Sequence, residues 1–535
     1  MQFQTCNLDP GILYYEGLIT RINRPIGKFY RRTAWSANVR CKVTGNQFPS
    51  TGQGRNNTVK VQSLIGIAVA AALTSSAQAQ KTASPPNIVI FLADDLGYGD
   101  LGIQGDKQAV TPNIDALAAK GVRLTDFYAN HPVCSPSRAA LMTGIYQHRM
   151  GFEQNSGSPQ NTSPKFGITA DRKTLPERLK AAGYATGMFG KWHVGFTPER
   201  VPTARGFDTF YGFLSGAHAY TPKPNAPAGG GQGGDFGGGQ TMLRGTVPEP
   251  MPAHTTEAFA DNAVAFIDAN KQRPFFVYLP FNAVHSPMDT TKLYSDRFAE
   301  VKDETRRIHL AQLSALDDAV GKVVGELDKQ GLLDNTLIIF SSDNGGPTQE
   351  TTSSNGPLNG VKGLVLEGGI RVPTIFSWKG HLPQGKVIPT MSMGFDLTAT
   401  TLKAAGVLPA RGLDGVDLMP YLTGARTGEA HKALFWRSGT QGAVREGDWK
   451  LIRVGEARHL FNLKADIGER HDLAKSDPKR VAAMDKTWTS WSSQMMAPQW
   501  RRNELAGGDP DNRAMVTKAI QAFIDGKRVV IDGAD

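Results

Sequence analysis

The run Asn87-Ile88-Val89-Ile90-Phe91-Leu92-Ala93 leads straight into Asp94-Asp95-Leu96-Gly97-Tyr98-Gly99-Asp100. An apolar, β-prone stretch without polar alternation is the pattern of a strand covered on both faces, which calls for helices on both sides of a parallel sheet. Two adjacent carboxylates at the end of such a strand are costly to bury unless positive charge meets them. That end of an open α/β sheet is also where ligands bind. A matching unit comes much later. Leu337-Ile338-Ile339-Phe340-Ser341-Ser342 closes on Asp343-Asn344-Gly345-Gly346, after an amphipathic helix predicted over 306–327. Asp94, Asp95, Asp343 and Asn344 offer oxygen and no sulfur, which favours calcium or magnesium over zinc. An Asx turn at each strand end accounts for either motif alone. The two together point to metal.

Between these units, 111–118 opens a helix with cap and proline signals, and 122–128 reads as one further strand. The chain then reaches Cys134-Ser135-Pro136-Ser137-Arg138-Ala139-Ala140-Leu141-Met142-Thr143-Gly144. A lone cysteine beside an arginine, heading a helically spaced run, supports two readings. One is a small buried residue in a loop. The other is a nucleophile at a helix start, where backbone N–H groups and Arg138 favour an anion. His131, just upstream, either lines the same pocket or packs in the loop.

At 535 residues the chain can bury a large core and hold more than one domain. Its net charge of +10 is concentrated at the N-terminus: residues 1–60 hold nine Lys/Arg and two Asp/Glu, and the remainder 50 and 47. The body therefore has no polyanion-binding excess, and no nucleic-acid partner is expected. Lys60, the apolar run Leu64 to Leu73 and Ala77-Gln78-Ala79 form the three parts of a secretory signal peptide at 61–79. The run is too short for a stable membrane anchor. Export with cleavage near Ala79 to the periplasm or outside is expected. Residues 1–60 read as a non-native extension without an assigned fold. With Cys6 and Cys41 removed in this way, Cys134 is the remaining cysteine and no disulfide framework is implied.

The motifs in order resemble the type I, formylglycine-dependent sulfatases of the alkaline phosphatase superfamily. The matching pieces are the Asp-Asp strand end, 111–117, Cys134 to Gly144, Gly190-Lys191-Trp192-His193-Val194-Gly195, Val284-His285-Ser286-Pro287, the Asp-Asn strand end, and 360–373 with Glu367-Gly368-Gly369-Ile370-Arg371-Val372-Pro373. The resemblance, over about 85–475, implies an α/β fold: a mixed, largely parallel sheet between helices, with a smaller C-terminal antiparallel sheet subdomain. It implies that Asp94, Asp95, Asp343 and Asn344 bind calcium, with magnesium as the lesser alternative. Cys134 would be converted to formylglycine by a formylglycine-generating enzyme, with Arg138 stabilising it. Lys191, Lys362, His193 and His285 would bind sulfate and move protons. The implied reaction is hydrolysis of a sulfate monoester, of an aryl sulfate or a sulfated carbohydrate, through a formylglycine hydrate and a sulfo-enzyme intermediate. Two lysines, an arginine and a divalent cation suit the charge that gathers on oxygen as the ester breaks. His285, alone or with Lys362, would protonate the leaving oxygen, and His193 would take the proton that lets sulfate depart.

The catalytic domain is expected at 85–425. A Gly-rich loop at 226–239 follows His218 and Tyr220, which the resemblance makes candidates for substrate specificity. Short strands with turns between them begin near 433, and a helix over 478–495 completes a subdomain at 426–495. Residues 496–535 read as a tail. Two rivals stand: a phosphomonoester, phosphodiester or phosphonate hydrolase of the same superfamily, and a non-catalytic sulfated-glycan binding protein. The oxygen-only acid set and Cys-x-Pro-x-Arg argue against the first, and the intact set of reactive residue types against the second.

Overall fold

A computed structural model describes residues 84–155, 163–223, 241–408, 412–500 and 513–527. The expectations for 1–79 and for the Gly-rich stretch 226–239 lie outside the described residues. The strands of the larger part are β1 (Asn87–Ala93), β2 (Val122–Leu124), β3 (Phe127–Tyr128), β4 (Ala185–Lys191), β5 (Thr209–Phe213), β6 (Thr241–Arg244), β7 (Val247–Pro250), β8 (Phe275–Pro280), β9 (Thr336–Ser342), β10 (Thr374–Ser377), β11 (Lys386–Ile388) and β12 (Ser392–Met393). Ten of them form one sheet in the order β11-β2-β10-β9-β1-β8-β4-β5-β6-β7, while β3 pairs with β12. The central run β9-β1-β8-β4-β5 is parallel throughout, and β10 lies antiparallel beside β9.

The unbroken apolar character of β1 has its reason in this placement. Ile88, Ile90 and Leu92 face one core and Val89, Phe91 and Ala93 the other. The helices on the second face are α1 (Pro112–Ala119), α3 (Thr255–Asn270) and α4 (Glu304–Lys329), and those on the first include α2 (Cys134–Thr143) and α5 (Gly394–Ala404). Each large apolar side chain buried in this way contributes about 1.5–3 kcal/mol. With both faces filled, polar side chains gather where the parallel strands end.

Two local expectations change. The single strand expected over 122–128 is two, because Thr125 and Asp126 interrupt it. The Thr125 N–H donates to the Ile388 carbonyl at 3.0 Å, and the Asp126 carboxylate is taken by Arg371 at 2.8 Å and Arg445 at 2.7 Å. The helix α1 begins after Thr111 as expected, but the Thr111 side chain does not cap it. Asp317 of α4 does so instead, accepting from the N–H groups of Asn113 at 3.1 Å and Ile114 at 2.8 Å.

The C-terminal part is an antiparallel meander of β13 (Leu434–Ser438), β14 (Gln441–Glu446), β15 (Trp449–Val454) and β16 (Ala457–Asn462), with α6 (Pro478–Ser492) and α7 (Arg513–Ile524) against it. Its apolar side is not closed on itself. Leu434, Trp436, Ile452 and Phe461 share one core with Tyr128, Val365, Leu366 and Phe395 of the larger part. Beyond 496, described residues join the fold at Trp500 and along α7. Trp500 packs edge-on against Phe152 at 4.6 Å and Phe166 at 5.2 Å, and Ile520 and Phe523 of α7 join the shared core.

A buried ion network crosses the same junction. Lys450 Nζ lies 2.8 Å from Glu367 Oε1 and 2.9 Å from Glu469 Oε1. Arg371 reaches Glu367 Oε2 at 3.1 Å, and the Tyr128 hydroxyl donates to the same oxygen at 2.7 Å. Three acids (Asp126, Glu367, Glu469) thus meet three cations (Arg371, Arg445, Lys450). Removing one partner of such a pair strands a buried charge, at about 3–5 kcal/mol. Among the described residues, no helix is long and apolar enough to cross a membrane.

Candidate active site

Asp94 and Asp95 follow β1, Asp343 and Asn344 follow β9, and Lys191 ends β4, so three parallel strands of the central run deliver them to one end of the sheet. Asp95 holds a left-handed backbone at φ +63°, which turns its carboxylate away from that of Asp94. Asp94 Oδ2 accepts from Lys191 Nζ at 2.7 Å, and its Oδ1 lies 3.5 Å from both Arg138 Nη2 and Cys134 Sγ. Asp95 Oδ1 accepts from Asn344 Nδ2 at 2.7 Å and its Oδ2 from Lys362 Nζ at 2.9 Å. The Asp95 N–H donates to Asp343 Oδ1 at 3.3 Å.

Cys134 is the first residue of α2, so Arg138 stands one turn below it on the same face. No side chain caps this helix start at Val133. The Ser135 N–H instead donates to Asn155 Oδ1 at 2.9 Å, and Ser137 Oγ bonds both the N–H and the carbonyl of His131. Arg138 is fully buried, with Nε and Nη2 each 2.7 Å from Asp343 Oδ2, and Nη1 donating to the Lys191 carbonyl at 3.1 Å. His285 Nδ1 lies 2.6 Å from the Ser286 carbonyl, an acceptor only, so the proton sits on Nδ1. Its Nε2 then faces Lys362 Nζ at 3.1 Å and Asp95 Oδ2 at 3.5 Å.

Three carboxylates and three cations therefore share a site closed to bulk water, and their balance sets protonation. Burial pushes the Asp94 carboxyl up, but Lys191, His285, Arg138 and Lys362 outweigh it and hold Asp94 well below the usual carboxylate range. Burial raises Asp343 to about 6 against Arg138, with Asp94 adding to the rise. Burial also drives the Cys134 thiol well above its ordinary value despite Lys191 and Lys362. At neutral pH the cysteine as encoded is a thiol, and a thiol is a poor nucleophile.

The residues fit a hard cation. Asn344 Oδ1 is buried and has no hydrogen-bond partner, although its Nδ2 is engaged. An orphaned carbonyl oxygen beside Asp94, Asp95 and Asp343 is the donor chemistry of calcium or magnesium. Ligand atoms of Asp94, Asp95, Cys134 and His285 also lie within 4.8 Å of one another. That grouping shares Asp94 and Asp95 with the four-residue oxygen set read from sequence.

The remaining expected residues have their own surroundings. His193, two residues past Lys191, is buried at φ +59°, its ring against Gly216 and 6.3 Å from the Phe166 ring. His218 is committed elsewhere: its two ring nitrogens each lie 3.0 Å from a backbone carbonyl, those of Ala219 and Thr241. His131 is buried 6.3 Å from the His148 ring, and burial holds it well below the ordinary histidine value. Tyr220, expected beside substrate, is buried and donates its hydroxyl to the carbonyls of Asn282 at 2.6 Å and His285 at 2.8 Å. It braces the loop that carries His285. Gln441, absent from the residues expected at the site, touches the Lys362 turn from the C-terminal sheet, and an isolated glutamine in a hairpin carries no signal of that contact.

The family model for Sulfatase matches residues 86–407. The chain belongs to the sulfatase family. Its relatives include N-acetylgalactosamine-6-sulfatase of Sus scrofa, 35% identical over 387 residues, which covers 68% of this chain and 71% of that protein. Arylsulfatase A of Homo sapiens is 36% identical over 438 residues, covering 76% of this chain and 80% of that protein. The solved structure of Ps i-CgsB is 36% identical with a TM-score of 0.73, covering 83% of this chain and 98% of its own, and the same protein has been solved in complex with k-i-k-neocarrahexaose. This sulfatase is thus a sulfuric ester hydrolase, with the large mixed sheet and small antiparallel sheet described above.

Proposed function

We propose that this sulfatase cleaves sulfate monoesters on a glycan, with residue 134 as formylglycine and with calcium as the metal. The observation that carries this is the placement of Cys134. Its Sγ lies 3.5 Å from Asp94 among Lys191, Arg138 and Lys362, yet burial keeps the thiol protonated. A site so rich in anion-stabilising groups has little use for a neutral thiol. Conversion to an aldehyde hydrate would place a hydroxyl nucleophile there, and calcium held by Asp94, Asp95, Asp343 and Asn344 would draw charge from the sulfate oxygens. Such conversion needs a formylglycine-generating enzyme as maturation partner.

The chain's own residues divide the remaining work. Lys191 and Lys362 come from opposite sides of the acid pair, at 2.7 Å from Asp94 and 2.9 Å from Asp95, and can shift to the oxygens of an arriving sulfate. Arg138, locked on Asp343, keeps positive charge fixed beneath residue 134. His285, with Nδ1 bound to a carbonyl, offers only Nε2 to the reaction, and Lys362 stands 3.1 Å from that atom. Lys362 gives a proton to Nε2, which hands it on to the leaving oxygen, and His193 receives the one released when sulfate departs. His218 anchors the loop before the Gly-rich stretch and is left out of the substrate contacts.

A sulfated glycan is the substrate class supported by the names of the relatives and by the neocarrahexaose held by Ps i-CgsB. Export is supported by the tripartite sequence at 61–79. Two measurements test the reading on protein made with a formylglycine-generating enzyme present. The mass of the residue 134 peptide should show an aldehyde or its hydrate. Sulfate release from sulfated oligosaccharides and aryl sulfates should exceed phosphate release from the matching phosphates. An unmodified thiol in active protein, or faster phosphate cleavage, refutes the proposal.

A further inference from the structure

We infer that Gln441, carried by the C-terminal sheet, is a positioning residue for Lys362. The inference rests on the role proposed above for Lys362 at the sulfate. Lys362 sits in a turn between Gly360 and Gly363, both at φ +87°, a backbone that glycine adopts without strain. One side of this turn is tied to the larger part of the molecule. The Lys362 N–H donates to the Gly346 carbonyl at 3.2 Å, and the Gly363 N–H to the Pro132 carbonyl at 2.8 Å, just upstream of Cys134.

On its other side the turn meets the side chain of Gln441. Gln441 Nε2 donates to the Gly363 carbonyl at 2.6 Å, and the Val365 N–H donates to Gln441 Oε1 at 3.0 Å. The carboxamide supplies the donor and acceptor that a neighbouring strand would offer, and so closes 363–365 as one more sheet rung. Gln441 is itself rigidly mounted. It is buried, opens β14, and is in register with Ser438 on one side and Val454 on the other. Farther along the same loop, the Glu367 N–H donates at 2.7 Å to Oε2 of Glu469, which lies in the turns after β16, so the C-terminal part grips the segment twice. Lys362 Nζ spans Asp95 Oδ2 at 2.9 Å and His285 Nε2 at 3.1 Å. A turn that slips moves the ammonium away from both at once.

A kinetic double-mutant cycle tests this, using full-length matured wild type, Gln441→Met, Lys362→Ala and the double variant, with sulfate release as readout. Gln441→Met fills the space but offers no amide, and should lower kcat/KM by roughly tenfold to a hundredfold. On the Lys362→Ala background the same change should cost less than about twofold, because there is no ammonium left to place. Gln441→Glu keeps the acceptor for Val365 and loses the donor to Gly363, so its loss should fall between; it also serves if the methionine variant does not fold. Equal losses on both backgrounds would overturn the inference, since general loosening of the fold is indifferent to Lys362. Wild-type turnover in the Gln441 variants would overturn it as well. Wild-type turnover in Lys362→Ala would instead refute the proposed role of Lys362, and the inference with it.

Discussion

Glu469→Gln should remove a pH dependence of stability that the wild-type protein carries. Glu469 and Glu367 are both buried and share Lys450. Burial pushes Glu367 up, but Lys450, Arg371 and Arg445 bring it down to about 2, while burial with the nearby Glu367 leaves Glu469 raised to about 7 despite Lys450. The folded protein then holds a proton at Glu469 that the unfolded chain releases near the ordinary glutamate value of 4.5. Stability from that proton is fully present below about 4.5 and is lost as pH rises through about 7. A tenfold change in proton affinity is worth about 1.4 kcal/mol, so the loss is about 3 kcal/mol across this window. Glutamine preserves the acceptor for the Glu367 N–H and has no proton to lose. Thermal melts of wild type and variant at pH 5 and pH 7.5 give the readout (roughly the two ends of the window). The wild type should lose the advantage on the alkaline side, and the variant should be the more stable protein there. Parallel pH responses in the two proteins would show that Glu469 is ionised throughout, with Lys450 overcoming burial.

Three further outcomes are expected. Cys134→Ala should abolish sulfate release and leave the melting temperature within a few degrees, since one buried sulfur is lost and little else; residual turnover near wild type would rule out the nucleophile. Chelation of divalent cations should abolish activity, calcium should restore it, and Asn344→Leu should raise the calcium needed for half-maximal activity by roughly tenfold, as expected for a lost ligand. Tyr220→Phe removes the hydroxyl that holds the Asn282 and His285 carbonyls. It should slow alkyl sulfates by roughly tenfold or more and fast-leaving aryl sulfates much less, and equal slowing would separate Tyr220 from proton delivery.

The parts of the structure legible in the sequence are those written in local pattern. β1 and β9 announce themselves because both their faces are buried, which leaves no polar position to break the run. The acid pairs at their ends are legible for the same reason, since polar residues in such strands are confined to the edge. Cys134 and Arg138 share a face through helical spacing alone. What fails to show depends on distant partners. The break at Asp126 is invisible because the arginines that take its carboxylate stand at 371 and 445, and the cap of α1 is invisible because it belongs to Asp317. Tyr220 and Gln441 act on backbone carbonyls and amides, which have no signature in sequence. A tyrosine next to a Gly-rich stretch looks like a substrate contact whether it faces outward or, as here, inward.

The core shared by the small sheet and the larger part has a consequence for the order in which the molecule can be completed. Val365, Leu366 and Phe395 are already synthesised when the chain has yet to supply Leu434, Trp436 and Ile452, the residues that cover them. Until β13 to β16 arrive, that apolar face is open, Glu367 lacks Lys450, and the Lys362 turn lacks Gln441. A product stopped short of residue 434 is therefore a chain with a raw surface and an unbraced active site, and not a smaller working enzyme. Lys362 is dependably placed only when the last sheet has been laid against its turn.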